Sequence, residues 1–247
     1  MKKLLCLVAS LAAMAGGCGG NGGGGGGGGG TNIGSDVPLE DFADVYADVL
    51  CDQIFDCCPE GSGGPSSPAE CEATYGGFLE AFFTSSLIRS EKSGRADYRG
   101  DIFADCLRLM AGMTCDEFTS GAFEEEIEAS GCSQFIIPNQ SAGDECAQDF
   151  ECTTGYCEGA SGLFDEEDLG VCEVLPALGE ACDGDCADGS YCDFGMEGEF
   201  CAPAQSDGAE CFGDDECQSG SCIDSSVEGE PSTCGQGSSD ICEDITS

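Results

Sequence analysis

Between Gly143 and Cys234 the opening Gly143-Asp144-Glu145-Cys146 recurs as Gly179-Glu180-Ala181-Cys182 and as Gly208-Ala209-Glu210-Cys211, and each opening is followed by three further cysteines. The sets are Cys146, Cys152, Cys157 and Cys172; Cys182, Cys186, Cys192 and Cys201; and Cys211, Cys217, Cys222 and Cys234. The first and third share the spacing C-x5-C-x4-C, with Glu151 or Glu216 before the second cysteine and Gly155-Tyr156 or Gly220-Ser221 before the third. The middle copy contracts the first gap to three residues and stretches the second to five. Openings 36 and 29 residues apart mark a tandem array. From Ser141 to Ser247 only 15 of 107 residues are Leu, Ile, Val or Phe. So little apolar mass cannot build an ordinary core, and cross-links are expected to hold each module. Which cysteine bonds to which within a module is not fixed by sequence.

The preceding stretch has a different character. Between Asp36 and Ile137 the same four residue types number 24 of 102, enough for a normal core, and they recur with helical spacing. Phe42, Val45, Tyr46, Val49, Leu50 and Ile54 predict a first helix. Ser67, Pro68, Ala69 and Glu70 form a capping-box start for a second, with Cys71, Tyr75, Phe78, Leu79 and Phe82 on one face. Tyr98, Ile102, Phe103, Cys106, Leu109 and Met110 predict a third helix, and Phe118, Phe123 and Ile127 a weaker fourth. Cys51 and Cys58 are expected on one face of the first helix, and Cys71 and Cys106 on core-facing stripes, so disulfides should join helix to helix. Free buried thiols are the alternative.

Charge and composition exclude several classes of activity. The 247 residues carry 49 acidic and 7 basic side chains, a formal charge of −42. From residue 109 onward there are 34 acids and no base. Such a polyanion repels nucleic-acid phosphates, so no nucleic-acid partner is expected. With no histidine, Ser-His, Cys-His and His-metal mechanisms are absent. No two cysteines are separated by two residues, and neither a GxSxG elbow nor a Walker loop occurs. Any two acids could approach as a glycosidase pair, but the tryptophan that sugar sites favour is missing. No catalytic residue, metal site or cofactor is assigned. Asp183, Asp185 and Asp188 begin like an oxygen-ligand loop, yet Gly189 falls one place late and no closing Glu stands where an EF-hand needs it. Weak calcium binding by the carboxylates stays an open reading.

Lys2 and Lys3 precede a twelve-residue apolar run from Leu4 to Ala15, the pattern of an export signal and too short to span a bilayer. Ala15, Gly16, Gly17 and Cys18 resemble the lipobox of bacterial lipoproteins, although Met14 and Ala15 stand where Leu is commonest. The resemblance implies lipid attachment at Cys18 and, because Gly19 is not an acidic sorting signal, favours the outer membrane. Ordinary cleavage, with Cys18 as one more disulfide partner, is the alternative. Gly19 to Gly30, eleven glycines and Asn21, reads as a tether.

The array's pattern of Gly-x-x-Cys, acidic-Cys, Gly-x-Cys, Cys is similar to the Dickkopf N-terminal cysteine-rich domain as it occurs in lipoproteins of myxobacterial type. The similarity covers Gly143 to Cys234; Cys57-Cys58 and the Gly94, Arg95, Tyr98, Cys106 stretch extend it more loosely. It implies the order lipobox, tether, helical cysteine-containing domain and cysteine-rich repeats, and carries no established activity.

The expected fold is therefore small and disulfide-rich: an N-terminal α-helical disulfide-bonded domain, then three tandem four-cysteine modules with short β-hairpins. The expected divisions are a signal at 1–17, lipidated cysteine and tether at 18–35, helical domain at 36–140, repeats at 141–235 and a tail at 236–247. Twenty cysteines are expected in disulfides: the twelve of the array with Cys51, Cys57, Cys58, Cys71, Cys106, Cys115, Cys132 and Cys242. Seven in the helical domain is odd, so Cys242 is expected to return there. The functional expectation is a non-enzymatic cell-surface lipoprotein for binding, adhesion or envelope structure, held to the membrane by its lipid and meeting a protein partner. A protease inhibitor displaying Ser161 to Gly170 or Ser225 to Ser232 is the alternative, as is a calcium-binding surface module.

Overall fold

A computed structural model describes residues 33–58, 65–119, 129–160, 169–182, 186–187, 189–195, 198–223 and 231–235. The leader, Cys18, the glycine tether, Phe123, Ile127, the Asp183, Asp185 and Asp188 loop and Cys242 lie outside them. Two compact units meet in sequence at Gln140 and Ser141. One is helical and disulfide-bonded; the other consists of small disulfide modules with short antiparallel hairpins.

In the helical unit α1 spans Phe42–Cys57 and buries Phe42, Ala43, Ala47, Val49, Cys51 and Ile54. The next helix, α2, spans Pro68–Leu79, with the Ser67 hydroxyl accepting the Glu70 amide at 3.2 Å and Pro68 in the first turn. The other half of the cap differs from a capping box. The Glu70 carboxylate accepts from the amide and hydroxyl of Ser66, one residue before the cap. Cys51 and Cys71 join α1 to α2 inside a cluster of Ala47, Ile54, Tyr75 and Phe118. The two helices approach closely here: a Cβ on Gly76 would lie 3.5 Å from that of Ala47.

Beyond Leu79 the chain does not stop. One turn of π-helix, Glu80–Thr84, leads into α3, Ser85–Ser93, which Gly94 closes at φ 73°. The extra residue of a π turn advances the helical phase, so Phe82 does not follow Leu79 into the core. It stays half-buried and stacks on Phe78, ring centres 4.6 Å apart, while Thr84, Ser86, Leu87 and Ser90 take the buried positions.

The third expected helix also needs correction. Tyr98 belongs to strand β1, Ala96–Tyr98, which pairs antiparallel with β2, Ile136–Pro138, Tyr98 facing Ile136. Helix α4 begins only at Gly100 and runs to Ala111. Its buried stripe is Phe103, Ala104, Leu107 and Met110; Ile102, Cys106 and Leu109 form a half-buried flank, where Cys106 bonds to Cys132. Tyr98 and Ile102 are four apart, and that spacing imitated a helical repeat across a strand end. The rings of Phe42 and Phe103 stack at 4.4 Å, with Tyr98 and Phe135 packed around them. Cys57 reaches Cys115 at the start of the short α5, Cys115–Thr119, which carries the fully buried Phe118.

In the second unit β3, Glu145–Cys146, and β4, Tyr156–Glu158, flank β5, Gly170–Glu173, in the order β3-β5-β4. The later modules repeat this plan more thinly. Hairpin β6, Ser190–Gly195, with β7, Gly198–Pro203, takes an added bridge from Ala181 to Phe200. Hairpin β8, Cys222–Ile223, with β9, Thr233–Cys234, takes one from Glu210 to Thr233. Each module's buried apolar cluster is three of its own cysteines, with the fourth half-buried against them. Sulfur takes the place of a hydrocarbon core.

Candidate functional site: the outward rows of the array

Every module opens with the same tight turn. The amides of Asp144, Glu180 and Ala209 donate to the carbonyls of Ser141, Ala177 and Ser206 at 2.9, 2.9 and 3.1 Å. The third turn residue, Gly143, Gly179 or Gly208, has φ of 90°, 84° and 84°. A type II turn requires this conformation at its third residue, and it favours glycine. The turn docks on the module's last strand. Those glycine amides donate to the carbonyls of Cys172, Cys201 and Cys234, whose own amides return to the carbonyls of Asp144, Glu180 and Ala209. In the first two modules the acid after the glycine also closes the turn, Asp144 accepting the Ser141 amide and Glu180 that of Ala177.

Within this frame the pairing is the same three times, first cysteine to third and second to fourth. The bonds are Cys146–Cys157 and Cys152–Cys172, Cys182–Cys192 and Cys186–Cys201, Cys211–Cys222 and Cys217–Cys234. The wider first gap of modules one and three houses a 3₁₀ turn, Asp149–Glu151 and Asp214–Glu216. Asp149 accepts the Cys157 amide at 2.8 Å and Asp214 the Cys222 amide at 2.6 Å. Glu151, fully buried, accepts the Ala147 amide, and Glu216 accepts from the Gln205 side chain. Asp214 and Glu216 therefore serve the module's own structure.

Successive residues of a strand point to opposite faces, so every inward cysteine has an outward neighbour. In module one Glu145 and Glu158 both face Val171 across the ladder. In module two Ala181 and Asp193 both face Phe200. In module three Glu210 and Ile223 both face Thr233. Each module thus carries a three-residue row on the side opposite its disulfides. Val171, Phe200 and Ile223 are 39%, 45% and 42% exposed, far from the core positions that such side chains normally seek. Nothing in the sequence reading singled these residues out. The signal was present, one place before the fourth cysteine and one after the third, but it needed the pairing register to be recognised.

Three sulfurs in each module, those of Cys146, Cys152 and Cys172, of Cys182, Cys186 and Cys192, and of Cys211, Cys217 and Cys234, lie within 4.8 Å of one another. Zinc and copper take thiolates, and a sulfur spent in a disulfide is not one. The proximity is the geometry of two adjacent bridges.

Groups with displaced pKa values also have structural causes. Burial pushes the phenols of Tyr46, Tyr75 and Tyr98 up. Hydrogen bonds from Ser66 hold Glu70 down, and those from the Thr114 amide and hydroxyl do the same for Glu117.

No family model, curated protein or solved structure matches the chain. What its structure establishes is a cysteine-rich protein with nine disulfides among the described residues, the bonding of an exported chain. No helix among those residues is long and apolar enough to cross a membrane.

Proposed function

We propose that this is a non-enzymatic lipoprotein of the cell surface, anchored through Cys18, whose array displays side chains to a protein partner. One observation carries the reading. The interior is the same in all three modules, two bridges and one docked turn, while the outward rows read Glu-Val-Glu, Ala-Phe-Asp and Glu-Thr-Ile. A rigid frame with differing outward residues suits recognition, because the backbone is ordered before the partner arrives. The lipobox-like Ala15, Gly16, Gly17 and Cys18 and the Dickkopf-like cysteine spacing support the anchored, extracytoplasmic placement.

Two measurements test the reading. Mass spectrometry of the mature protein should show acylation at Cys18, and an unmodified Cys18 removes the anchor. A photo-crosslinking residue placed at 171 or 200 in the intact envelope should give a discrete adduct. Its absence at every row position removes the display role.

A further inference from the structure

We infer that the outward rows bind a lysine- or arginine-rich polypeptide segment, its aliphatic stems laid over the exposed apolar side chain and its charged heads held by the neighbouring carboxylates. The inference rests on the display reading and names the partner's chemistry.

Charge is the first ground. From residue 109 onward the chain has 34 acids and no lysine or arginine, so no carboxylate of the array can be neutralised by another array side chain. The described ion pairs Arg99 with Asp101 and Arg108 with Asp105 belong to the helical unit. The compensating charge of the array therefore comes from outside it, and a polyanionic surface with apolar centres attracts cations from solution.

The second ground is the order of side chains within a row. Strands lie about 4.8 Å apart, so the carbon stems of Glu145 and Glu158 stand about 10 Å from each other with Val171 between them. A divalent ion needs several oxygens converging on one point at about 2.3–2.6 Å, which an intervening valine prevents within the row. A lysine or arginine has the complementary shape, an apolar stem ending in a charge. Laid across the strands, its stem covers Val171 while its head reaches Glu145 or Glu158. In module two Phe200 offers a ring face for a cation, with Asp193 opposite it. Module three sets Ile223 and Glu210 on either side of Thr233.

The test uses the mature full chain with its disulfides intact and titrates fluorescent oligolysine and oligoarginine peptides. Saturable peptide binding at physiological salt is expected. The double variant V171S/F200S should weaken it about fivefold, since it removes stem and ring contacts but no charge. The variant E145Q/E158Q should weaken the peptide and flatten its salt dependence. All four positions are exposed, and an unchanged non-reducing peptide map verifies that each variant keeps the native bridges.

Peptide binding that ignores V171S/F200S overturns the inference, leaving only polyanion behaviour, and so does no saturable binding. An envelope adduct at 171 or 200 to a partner without a basic segment overturns this inference while the display reading stands. The absence of any row adduct overturns the display reading itself.

Discussion

The Asp149 carboxylate accepts the amide of Cys157 across eight residues of chain, and Asp214 does the same for Cys222. The second module has a shorter first gap, and its acids Asp183, Asp185 and Asp188 lie outside the described residues. In modules one and three this bond ties the 3₁₀ turn to the strand that carries the third cysteine, just where the first bridge closes. Asp214→Ala should destabilise module three by about 1 kcal/mol, and Asp214→Asn, which keeps an acceptor oxygen, should recover much of it. Hydrogen exchange at the Cys222 amide checks this; equal protection in all three proteins would contradict it.

Reduction should affect the two units differently. Each module's buried cluster is cysteine alone, whereas the helical unit also buries Phe42, Val49, Leu79, Leu87, Phe103, Leu107 and Phe118. Each bridge typically contributes about 2–4 kcal/mol. A reductant titration followed by hydrogen exchange should therefore strip protection from residues 141–235 before α1 and α4 lose theirs. Simultaneous loss would mean that sulfur is not what holds the array.

Two glycines should respond to alanine very differently. At Gly155, with φ 86°, a Cβ would lie 1.7 Å from the Glu173 carbonyl oxygen, so the chain must move. At Gly179, with φ 84°, nothing stands within 4 Å and only the backbone conformation is strained, at about 1 kcal/mol. Gly155→Ala should scatter the bridges of module one, while Gly179→Ala should keep Cys182–Cys192 and Cys186–Cys201. Disulfide mapping by mass spectrometry separates the two outcomes.

The start of α2 should depend on pH through Glu70. Its pKa lies below the ordinary carboxylate value because the Ser66 hydroxyl and amide donate to the charged form. A depressed folded pKa means that this stabilisation is present above the unfolded value and is lost as pH falls through the folded one. Amide exchange at residues 66–71 should rise as acid protonates Glu70. Glu70→Gln should start from weaker protection and show less of that rise. An identical acid response in both would contradict the assignment.

What could be read from sequence was what is local. Ser67 and Pro68 start α2 because a cap needs only its own turn, and the three openings at Gly143, Gly179 and Gly208 are visible as a repeat. Pairing was not readable, since three closures of four cysteines satisfy the same count. The π turn at Glu80–Thr84 has no clear composition signal, and Tyr98 kept helical spacing while pairing as a strand with Ile136. The rows through Val171, Phe200 and Thr233 depend on long-range register, which periodicity within one short strand does not supply.

Cys58 supplies the last prediction. It is disulfide-bonded, and the nine bonds above account for every other described cysteine, so its partner lies outside the described residues. The cysteines there are Cys6, Cys18 and Cys242. Cys6 falls within the expected export leader and would leave with it, and Cys18 is the proposed site of acylation. Cys242 is the cysteine this count leaves, and a bridge from it to Cys58 is the expected closure. A non-reducing digest of the mature protein should yield a peptide pair joining Cys58 to Cys242 that disappears on reduction. A pair joining Cys58 to Cys18 would overturn this closure and the lipid anchor together, because a cysteine in a disulfide has no thiol left for a thioether.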